Sequence, residues 1–192
     1  MRNIVVSTMV GLDGCFDGPN RDLSRLPMDD FFSAHNAERM QAAEVLLFSG
    51  RRTYQDFNGY WPTQLTSDDA ALRLIARRCE ELPKVVVSDQ WQAPPTGAWA
   101  PTTTVVRRAE AADQLTRLKR EGDGDIVMFG GRALTNALFA AGLVDELHVM
   151  IAPVMVPHGI RAFDEDVLPS LRLVDVRRYE GSENTLITYR RA

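Results

Sequence analysis

Cysteine and histidine are scarce in this chain of 192 residues, and no apolar stretch approaches the length of a membrane span. Cys15 and Cys79 are too few for a disulfide framework or a cysteine-based zinc site, and we expect both to be buried, inert thiols. His35, His148 and His158 lack the paired spacing of metal ligands. The sequence therefore predicts no metal site and no membrane-spanning segment.

The chain also has no excess of positive charge. Its 22 lysines and arginines stand against 26 acidic residues, which gives a formal net charge of −4. Binding to duplex nucleic acid needs a basic face, so we expect no nucleic-acid partner. The first residues lead directly into the strand-like run Ile4-Val5-Val6 with no sign of a signal peptide. We expect a cytoplasmic protein with no membrane partner.

Hydrophobic residues make up 45% of the chain and charged residues 25%, as in ordinary globular proteins. The length is slightly more than one typical domain of about 150 residues. Neither an internal repeat nor a linker divides the sequence. We therefore predict a single domain over residues 1–192.

The hydrophobic period switches repeatedly between that of strands and that of helices. Short apolar runs that begin at Ile4, Val45, Val85, Thr104 and Ile126 are typical of buried strands, and helical patterns separate most of them. The last part of the chain has strand patterns, and a polar turn joins its last two strands as an antiparallel hairpin. The sequence thus predicts an α/β protein with a mainly parallel sheet that is covered on both faces.

Two glycine-bearing turns follow buried strands of this sheet, where such sheets bind ligands. The first runs from Gly50 through Arg51 and Arg52 to Thr53, and the second contains Gly130-Gly131. Glycine permits close backbone approach, and helix N-termini with arginine attract phosphates. The alternatives are a plain turn with solvated arginines and tight helix packing. Together the turns favour one extended phosphate-bearing cofactor, and the missing GxxxxGK[ST] motif disfavours nucleotide hydrolysis.

Several short segments carry a family resemblance. They are LDGCFDGPN at 12–20, GRRTY at 50–54, YWP at 60–62, FGG at 129–131 and GLVDEL at 142–147. In this order and combination they resemble the dihydrofolate-reductase-like superfamily. Within it they are similar to the riboflavin-biosynthesis reductase domain, the C-terminal part of the bifunctional deaminase-reductase.

The resemblance implies a three-layer α/β/α dihydrofolate-reductase-like fold, with a mixed, mostly parallel sheet and a C-terminal antiparallel hairpin. It implies hydride transfer from NADPH, with NADH possible, to a small heterocycle or its phosphoribosyl derivative. It also implies a homodimer, because relatives pair through sheet edges. The alternatives are dihydrofolate reductase and a non-catalytic nucleotide-binding module of the same fold. No H-x-E or P-C-x-x-C motif is present, so in riboflavin synthesis the chain would supply only the reductase step.

The same resemblance indicates which residues contact the cofactor. Asp89 departs from the family pattern, because a carboxylate repels the 2′-phosphate of NADPH and suits the free 2′-hydroxyl of NADH. Compensation by Arg51, Arg52 or Arg107 would restore the preference for NADPH, which we expect. The predicted cofactor-binding residues are Val10, Leu12, Gly14, Gly50, Arg51, Arg52, Thr53, Ser88, Asp89, Gly130, Gly131, Arg132, Ala133 and Leu134.

The reduction also needs a proton and a substrate pocket. Dihydrofolate reductases use a carboxylate at the start of the first helix, where this sequence has Asp29 and Asp30. The alternative for both is favourable placement of charge at a helix N-terminus. His35 resembles a histidine of the riboflavin reductase's first helix and is predicted to bind substrate, or else is a buried or solvent-facing histidine. Trp61 is predicted to line the substrate pocket or to fill the core.

Overall fold

The computed structural model describes residues 1–166 and 170–192. The strands are β1 (Ile4–Val10), β2 (Cys15–Asp17), β3 (Ala43–Phe48), β4 (Lys84–Val87), β5 (Thr103–Val106), β6 (Asp125–Phe129), β7 (Glu146–Ile151), β8 (Ile160–Arg161), β9 (Leu171–Arg178) and β10 (Thr185–Arg191). The α-helices are α1 (Asp30–Ala42), α2 (Arg51–Tyr60), α3 (Ala70–Glu81), α4 (Arg108–Leu118) and α5 (Arg132–Ala140).

Within the described residues, eight strands form one sheet in the order β5-β4-β3-β6-β1-β7-β10-β9. Strand β10 is antiparallel to both of its neighbours, and the other adjacent pairs are parallel. The short strands β2 and β8 form a separate antiparallel pair. The mixed, mostly parallel sheet with a C-terminal antiparallel pair confirms the predicted fold class.

Side chains that alternate along the strands divide the core between the two faces of the sheet. On β1, Val6 belongs to the cluster that includes Leu138 of α5, and this cluster also contains residues of α4. The adjacent Val5 belongs to the cluster that includes Met40 of α1 and Ile75 of α3. Helices therefore cover both faces, and the three-layer architecture is confirmed.

The helices differ in how their first turns are capped. Asp29 precedes α1 and accepts a hydrogen bond from the Phe32 N–H, and Asp69 caps α3 in the same manner. Among the described residues, no side chain caps α2 after Gly50 or α5 after Gly131. The first N–H groups of these two helices are therefore available to a ligand.

The parallel strands bring several turns to one edge of the sheet. Strand β1 ends at Val10, β3 at Phe48, β4 at Val87, β5 at Val106 and β6 at Phe129. The carboxyl ends of parallel strands meet at the same edge, and ligands bind there where the strand order reverses. This edge holds the candidate site.

Helices of the described residues are short, and the 13-residue α1 is the longest of them. None of them is both long and apolar enough to cross a membrane.

Candidate functional site

A cavity of about 470 Å³ lies beyond the carboxyl ends of β3 and β4. The start of α2 forms one wall, and the start of α4 contributes to another. The lining residues are Ser49, Gly50, Arg51, Arg52, Thr53, Val87, Ser88, Gln90, Trp91 and Arg108. Five of the predicted cofactor-binding residues, Gly50 to Thr53 and Ser88, therefore line the first cavity.

Charge in the first cavity is of one sign. Arg51, Arg52 and Arg108 line it, and no carboxylate is found among the lining residues of the described chain. The hydroxyl groups of Ser49 and Thr53 lie 3.2 Å apart and are hydrogen bonded at the start of α2. Arginines beside an uncapped helix N-terminus are a favourable environment for phosphate groups.

An aromatic side chain, that of Trp91, contributes to the lining of the first cavity. The ring of Trp91 packs against the buried ring of Tyr54, with 5.0 Å between ring centroids. The backbone N–H of Trp91 donates to the Ser88 hydroxyl at 3.2 Å. This half-buried indole provides the apolar surface on which a planar base stacks.

Asp89 lies next to the first cavity but is not one of its lining residues. Its Oδ1 accepts a hydrogen bond of 2.9 Å from the backbone N–H of Arg108, and its Oδ2 lies 3.7 Å from the Arg108 Nε. Compensation for this carboxylate is expected from Arg51, Arg52 or Arg107. The first two line the cavity and Arg107 does not, whereas Arg108 was missed.

A second, much smaller cavity of about 10 Å³ lies beyond β1 and β6. Its volume is about that of one water site. Gly130 and Gly131 adopt left-handed backbone conformations here, with φ of 62° and 85°. The lining residues are Thr8, Phe16, Gly130, Gly131, Arg132, Thr135, Ala162 and Phe163.

The two cavities adjoin through one close contact between neighbouring strands. A Cβ atom built on Gly131 would lie 2.6 Å from the Cβ of Ser49. Ser49 lines the first cavity and Gly131 lines the second. The two glycine turns predicted from the sequence therefore form one continuous stretch of the sheet edge.

A short segment around β8 covers the second cavity. Arg132 at the start of α5 forms an ion pair with Asp164, whose N–H donates to Asn136 Oδ1 at 3.4 Å. The N–H of Ala162 donates to the carbonyl of Gly14 at 3.0 Å. These contacts hold the 160–164 segment against α5 and against the loop after β1.

The remaining predicted cofactor residues line neither cavity. Val10 and Leu134 are buried in the core, whereas Leu12 is 65% exposed in the loop after β1. Gly14 contacts the 160–164 segment, and Ala133 is exposed in the first turn of α5. They surround the site without forming its walls.

Asp29 and Asp30 lie at the start of α1, outside both cavities. Asp29 caps the helix and also accepts a 2.5 Å hydrogen bond from the Ser182 hydroxyl. Burial raises the pKa of Asp29, but the bonds from Ser182 and the Phe32 N–H outweigh it and leave the pKa below its usual value. The Asp29 carboxylate is therefore ionised at neutral pH. Asp30, the next residue, is exposed to solvent.

The predicted substrate residues lie on the α1 side of the sheet. His35 is only 2% exposed, stacks on His148 at 5.0 Å between ring centroids, and has its Nε2 3.5 Å from the Ser7 hydroxyl. Burial lowers the pKa of His35 to about 3, so its ring is neutral at pH 7. Trp61 is half-buried and packs against Phe57. Neither side chain lines a cavity.

Comparison with known proteins gives one family match and one distant relative. The RibD C-terminal domain family matches residues 2–185. A protein of Bacillus subtilis (strain 168), named uncharacterized protein YyaP, is 24% identical over 182 residues, which are 94% of this chain and 90% of that protein.

Solved structures of low sequence identity share the fold. A putative riboflavin biosynthesis protein from Shewanella sp. PV-4 is 20% identical, with a TM-score of 0.73 over 100% of this chain and 99% of its own. The Thermotoga maritima diaminohydroxyphosphoribosylaminopyrimidine deaminase/5-amino-6-(5-phosphoribosylamino)uracil reductase is 14% identical, with a TM-score of 0.69 over 100% and 57%. The Enterococcus faecalis dihydrofolate reductase complexed with NADP(H) is 14% identical, with a TM-score of 0.61 over 98% and 96%.

Proposed function

Because the chain belongs to the RibD C-terminal domain family, we propose that it is an NADPH-dependent reductase. Its substrate would be a small heterocycle of the phosphoribosyl-pyrimidine type, as in 5-amino-6-(5-phosphoribosylamino)uracil reduction. The Thermotoga maritima protein, of which this chain spans 57%, is named for such a substrate, and this supports the proposal. The deaminase step is not proposed for this chain.

The observation that carries the proposal is the first cavity together with the adjoining diglycine. Three arginines face a cavity of about 470 Å³, and two uncapped helix N-termini lie along the same edge. A ligand with phosphates and a planar base fits this chemistry. The residues present therefore suit a nicotinamide dinucleotide, and the NADP(H) complex of the Enterococcus faecalis enzyme with the same fold is consistent with it.

Each part of the edge has a role in this proposal. Arg51 and Arg52 bind phosphate oxygens through charge-assisted hydrogen bonds, and Trp91 supports the base. Gly130 and Gly131 let a ligand approach the backbone without side chains in the way. The N–H of Gly130 donates to the Ser7 carbonyl at 2.8 Å, so the N–H groups offered to phosphate are those at the start of α5. When bound, the nicotinamide cofactor supplies the hydride.

Asp29 is the proposed substrate-facing carboxylate. Its capping bond and the bond from Ser182 fix its position, and its lowered pKa keeps it charged. An ionised carboxylate accepts a hydrogen bond from a ring N–H of the substrate and orients the ring. Trp61 is the proposed wall of the substrate pocket, and His35 is a supporting residue on the buried side of α1.

The proposal is tested by binding followed by turnover. Titration with NADPH should quench tryptophan fluorescence, and the quench should shrink in Trp91→Phe, because Trp91 lines the first cavity. Loss of NADPH absorbance should then follow addition of the phosphoribosylaminouracil substrate. Turnover of dihydrofolate instead would identify a dihydrofolate reductase. Binding with no turnover of either substrate would favour the non-catalytic module, and absence of NADPH binding would refute the proposal.

A further inference from the structure

Arg108 lines the first cavity but belongs to α4, a helix that does not follow either glycine turn. It is the first residue of α4, which follows β5, and its side chain lines the cavity with Arg51 and Arg52. Its neighbour Arg107 precedes the helix, is also exposed, and is not a lining residue. Of these two adjacent, exposed arginines, only Arg108 lines the cavity.

Asp89 fixes the position of Arg108 by two contacts. The Arg108 N–H donates to Asp89 Oδ1 at 2.9 Å, so Asp89 caps α4 in place of Arg107, which caps nothing with its side chain. The Arg108 Nε lies 3.7 Å from Asp89 Oδ2. Within the described chain, the two terminal amino groups of the guanidinium have no carboxylate partner and remain available to the cavity.

This arrangement reverses the effect expected of Asp89. A carboxylate that faces a phosphate at close range repels it. Here the carboxylate lies outside the lining residues, is engaged by a backbone N–H and a guanidinium, and directs a third arginine towards the cavity. The local charge that a ligand meets is therefore positive, although the sequence has an acid at this turn.

We propose that Arg108, positioned by Asp89, makes the first cavity select a dinucleotide with a phosphate monoester on its adenosine ribose over one with a free 2′-hydroxyl. This inference rests on the proposed function, because it concerns the same cofactor. Arg108 determines the specificity, and Asp89 is a positioning residue that acts through Arg108.

The first test compares two neighbouring substitutions. Dissociation constants for NADPH and NADH are measured by calorimetry, without substrate, for Arg108→Gln and for the matched control Arg107→Gln. Arg108→Gln should weaken NADPH by about 10- to 100-fold, the range for losing a hydrogen bond to a charged group, and should leave NADH nearly unchanged. Arg107→Gln should change neither. Equal weakening of both cofactors by Arg108→Gln would overturn the inference.

The second test separates positioning from repulsion by the sign of the effect. If Asp89 holds Arg108, Asp89→Ala weakens NADPH several-fold, and the loss disappears in the Arg108→Gln background. If Asp89 mainly repels the phosphate, Asp89→Ala tightens NADPH, and the inference is wrong. Asp89→Asn keeps an oxygen acceptor for the Arg108 N–H and should restore most of the affinity. Thermal melting confirms that each variant is folded.

The unmodified protein distinguishes failure of the inference from failure of the proposed function. Binding of neither dinucleotide overturns the proposed function, and the inference with it. Equal binding of NADPH and NADH leaves the proposed function standing and refutes the selection by Arg108. Tighter binding of NADPH, with a difference that shrinks as salt is added, supports both.

Discussion

At the scale of single residues, the two glycines after β6 are under different constraints. Both have φ in the left-handed region, at 62° for Gly130 and 85° for Gly131. A Cβ on Gly130 would meet no atom within 4 Å, whereas one on Gly131 would meet the Cβ and hydroxyl of Ser49 at 2.6 Å. Gly130 is therefore needed for its backbone conformation alone, and Gly131 is also needed because Ser49 leaves no room for a side chain.

Alanine at the two positions should accordingly differ in cost. Gly130→Ala should lower the free energy of unfolding by about 1 to 2 kcal/mol, the cost of a left-handed conformation. Gly131→Ala should lower it by about 1 to 3 kcal/mol more, because the new methyl group overpacks against Ser49. Urea unfolding of the two variants measures the difference. Equal costs would show that the Ser49 contact relaxes freely.

The two adjacent aspartates at the start of α1 provide a second test of single residues. Asp29→Asn keeps the helix cap, since asparagine caps as well as aspartate, but removes the charge. We expect turnover to fall by about 10- to 100-fold, the range for losing a hydrogen bond to a charged group, with NADPH affinity unchanged. Asp30→Asn is the control and should retain activity. Similar turnover in both variants would remove Asp29 from the proposed site.

At the scale of elements, α1 covers a buried polar network on the sheet. His35 of α1 faces Ser7, His148 and Arg177, and Arg39 of α1 lies 3.9 Å from Glu146. The hydrogen bond from His148 and the contact with Arg190 lower the pKa of Glu146 to about 2, against the opposing effect of burial. The attachment of α1 to the sheet therefore depends on a neutral histidine and an ionised carboxylate.

Acid should loosen this attachment. The folded-state pKa of His35 is about 3 and its ordinary value is 6.5, so the unfolded chain binds the extra proton between these values and stability falls as pH drops through this window. Glu146, shifted from 4.5 to about 2, acts in the same direction at lower pH. We expect His35 to make the larger contribution to this loss, because its pKa is displaced further from its ordinary value than that of Glu146.

The measurement is urea unfolding at several pH values between 7 and 3. His35→Gln should flatten the curve between pH 6.5 and 4. The exposed His158, replaced in the same manner, should leave the shape unchanged. A curve for His35→Gln that runs parallel to that of the unmodified protein would contradict the assignment.

The 160–164 segment contributes Ala162 and Phe163 to the wall of the second cavity. Arg132 is paired with Asp164, although its position beside the diglycine suits a phosphate. Asp164→Asn should tighten NADPH several-fold, because it frees Arg132 and removes a negative charge from the site. Glu165→Gln removes the same charge from an exposed neighbour and should have little effect. Fluorescence titration measures both, and equal effects would point to net charge alone.

Helices and strands could be predicted from the sequence where their hydrophobic residues form a local periodic pattern. Buried strands and the helices between them leave periodic patterns, so their order and the fold class followed from the sequence. The β2–β8 pair was missed, because strands of three and two residues leave no period. The position of Asp29 at the start of α1 was predicted. Its hydrogen bond from Ser182 was not, because the two residues are far apart in the chain and no local pattern connects them.

The site was predictable only where each turn carries its own motif. The turns at Gly50 and Gly130 were identified because glycine and arginine follow a strand. Arg108 begins a helix with no motif, and only the parallel pairing of β4 and β5 brings it to the first cavity. His35 was assigned to substrate, and its burial depends on the stacking against His148 of β7.

At the scale of the whole molecule, the sheet is asymmetric at its two ends. Strand β9 forms one edge and leaves Leu173 and Val176 exposed by 58% and 53%. Arg172 and a register shift in the pairing with β10 disrupt this edge as a partner for another strand. The exposed apolar side chains thus favour packing of this end of the sheet against a second copy of the chain.

We therefore expect a homodimer whose contact includes β9. Leu173→Asp should shift the molecular mass from dimer towards monomer in light scattering at micromolar concentration, because it places an unpaired charge in an apolar contact. Leu65→Asp alters an exposed leucine elsewhere and should leave the mass unchanged. A monomer in the unmodified protein would refute the expectation.

The position of β6 in the sheet has a consequence for biosynthesis. This strand lies between β1 and β3, yet it is the last of the three to leave the ribosome. Until residues 125–129 are made, both neighbours present unsatisfied backbone groups, and Ser49 has no Gly131 to meet. Before β6 is synthesised, the nascent chain therefore lacks the strand that joins β1 to β3. We therefore expect a cofactor that binds along this edge to add stability only after β6 has paired with both neighbours.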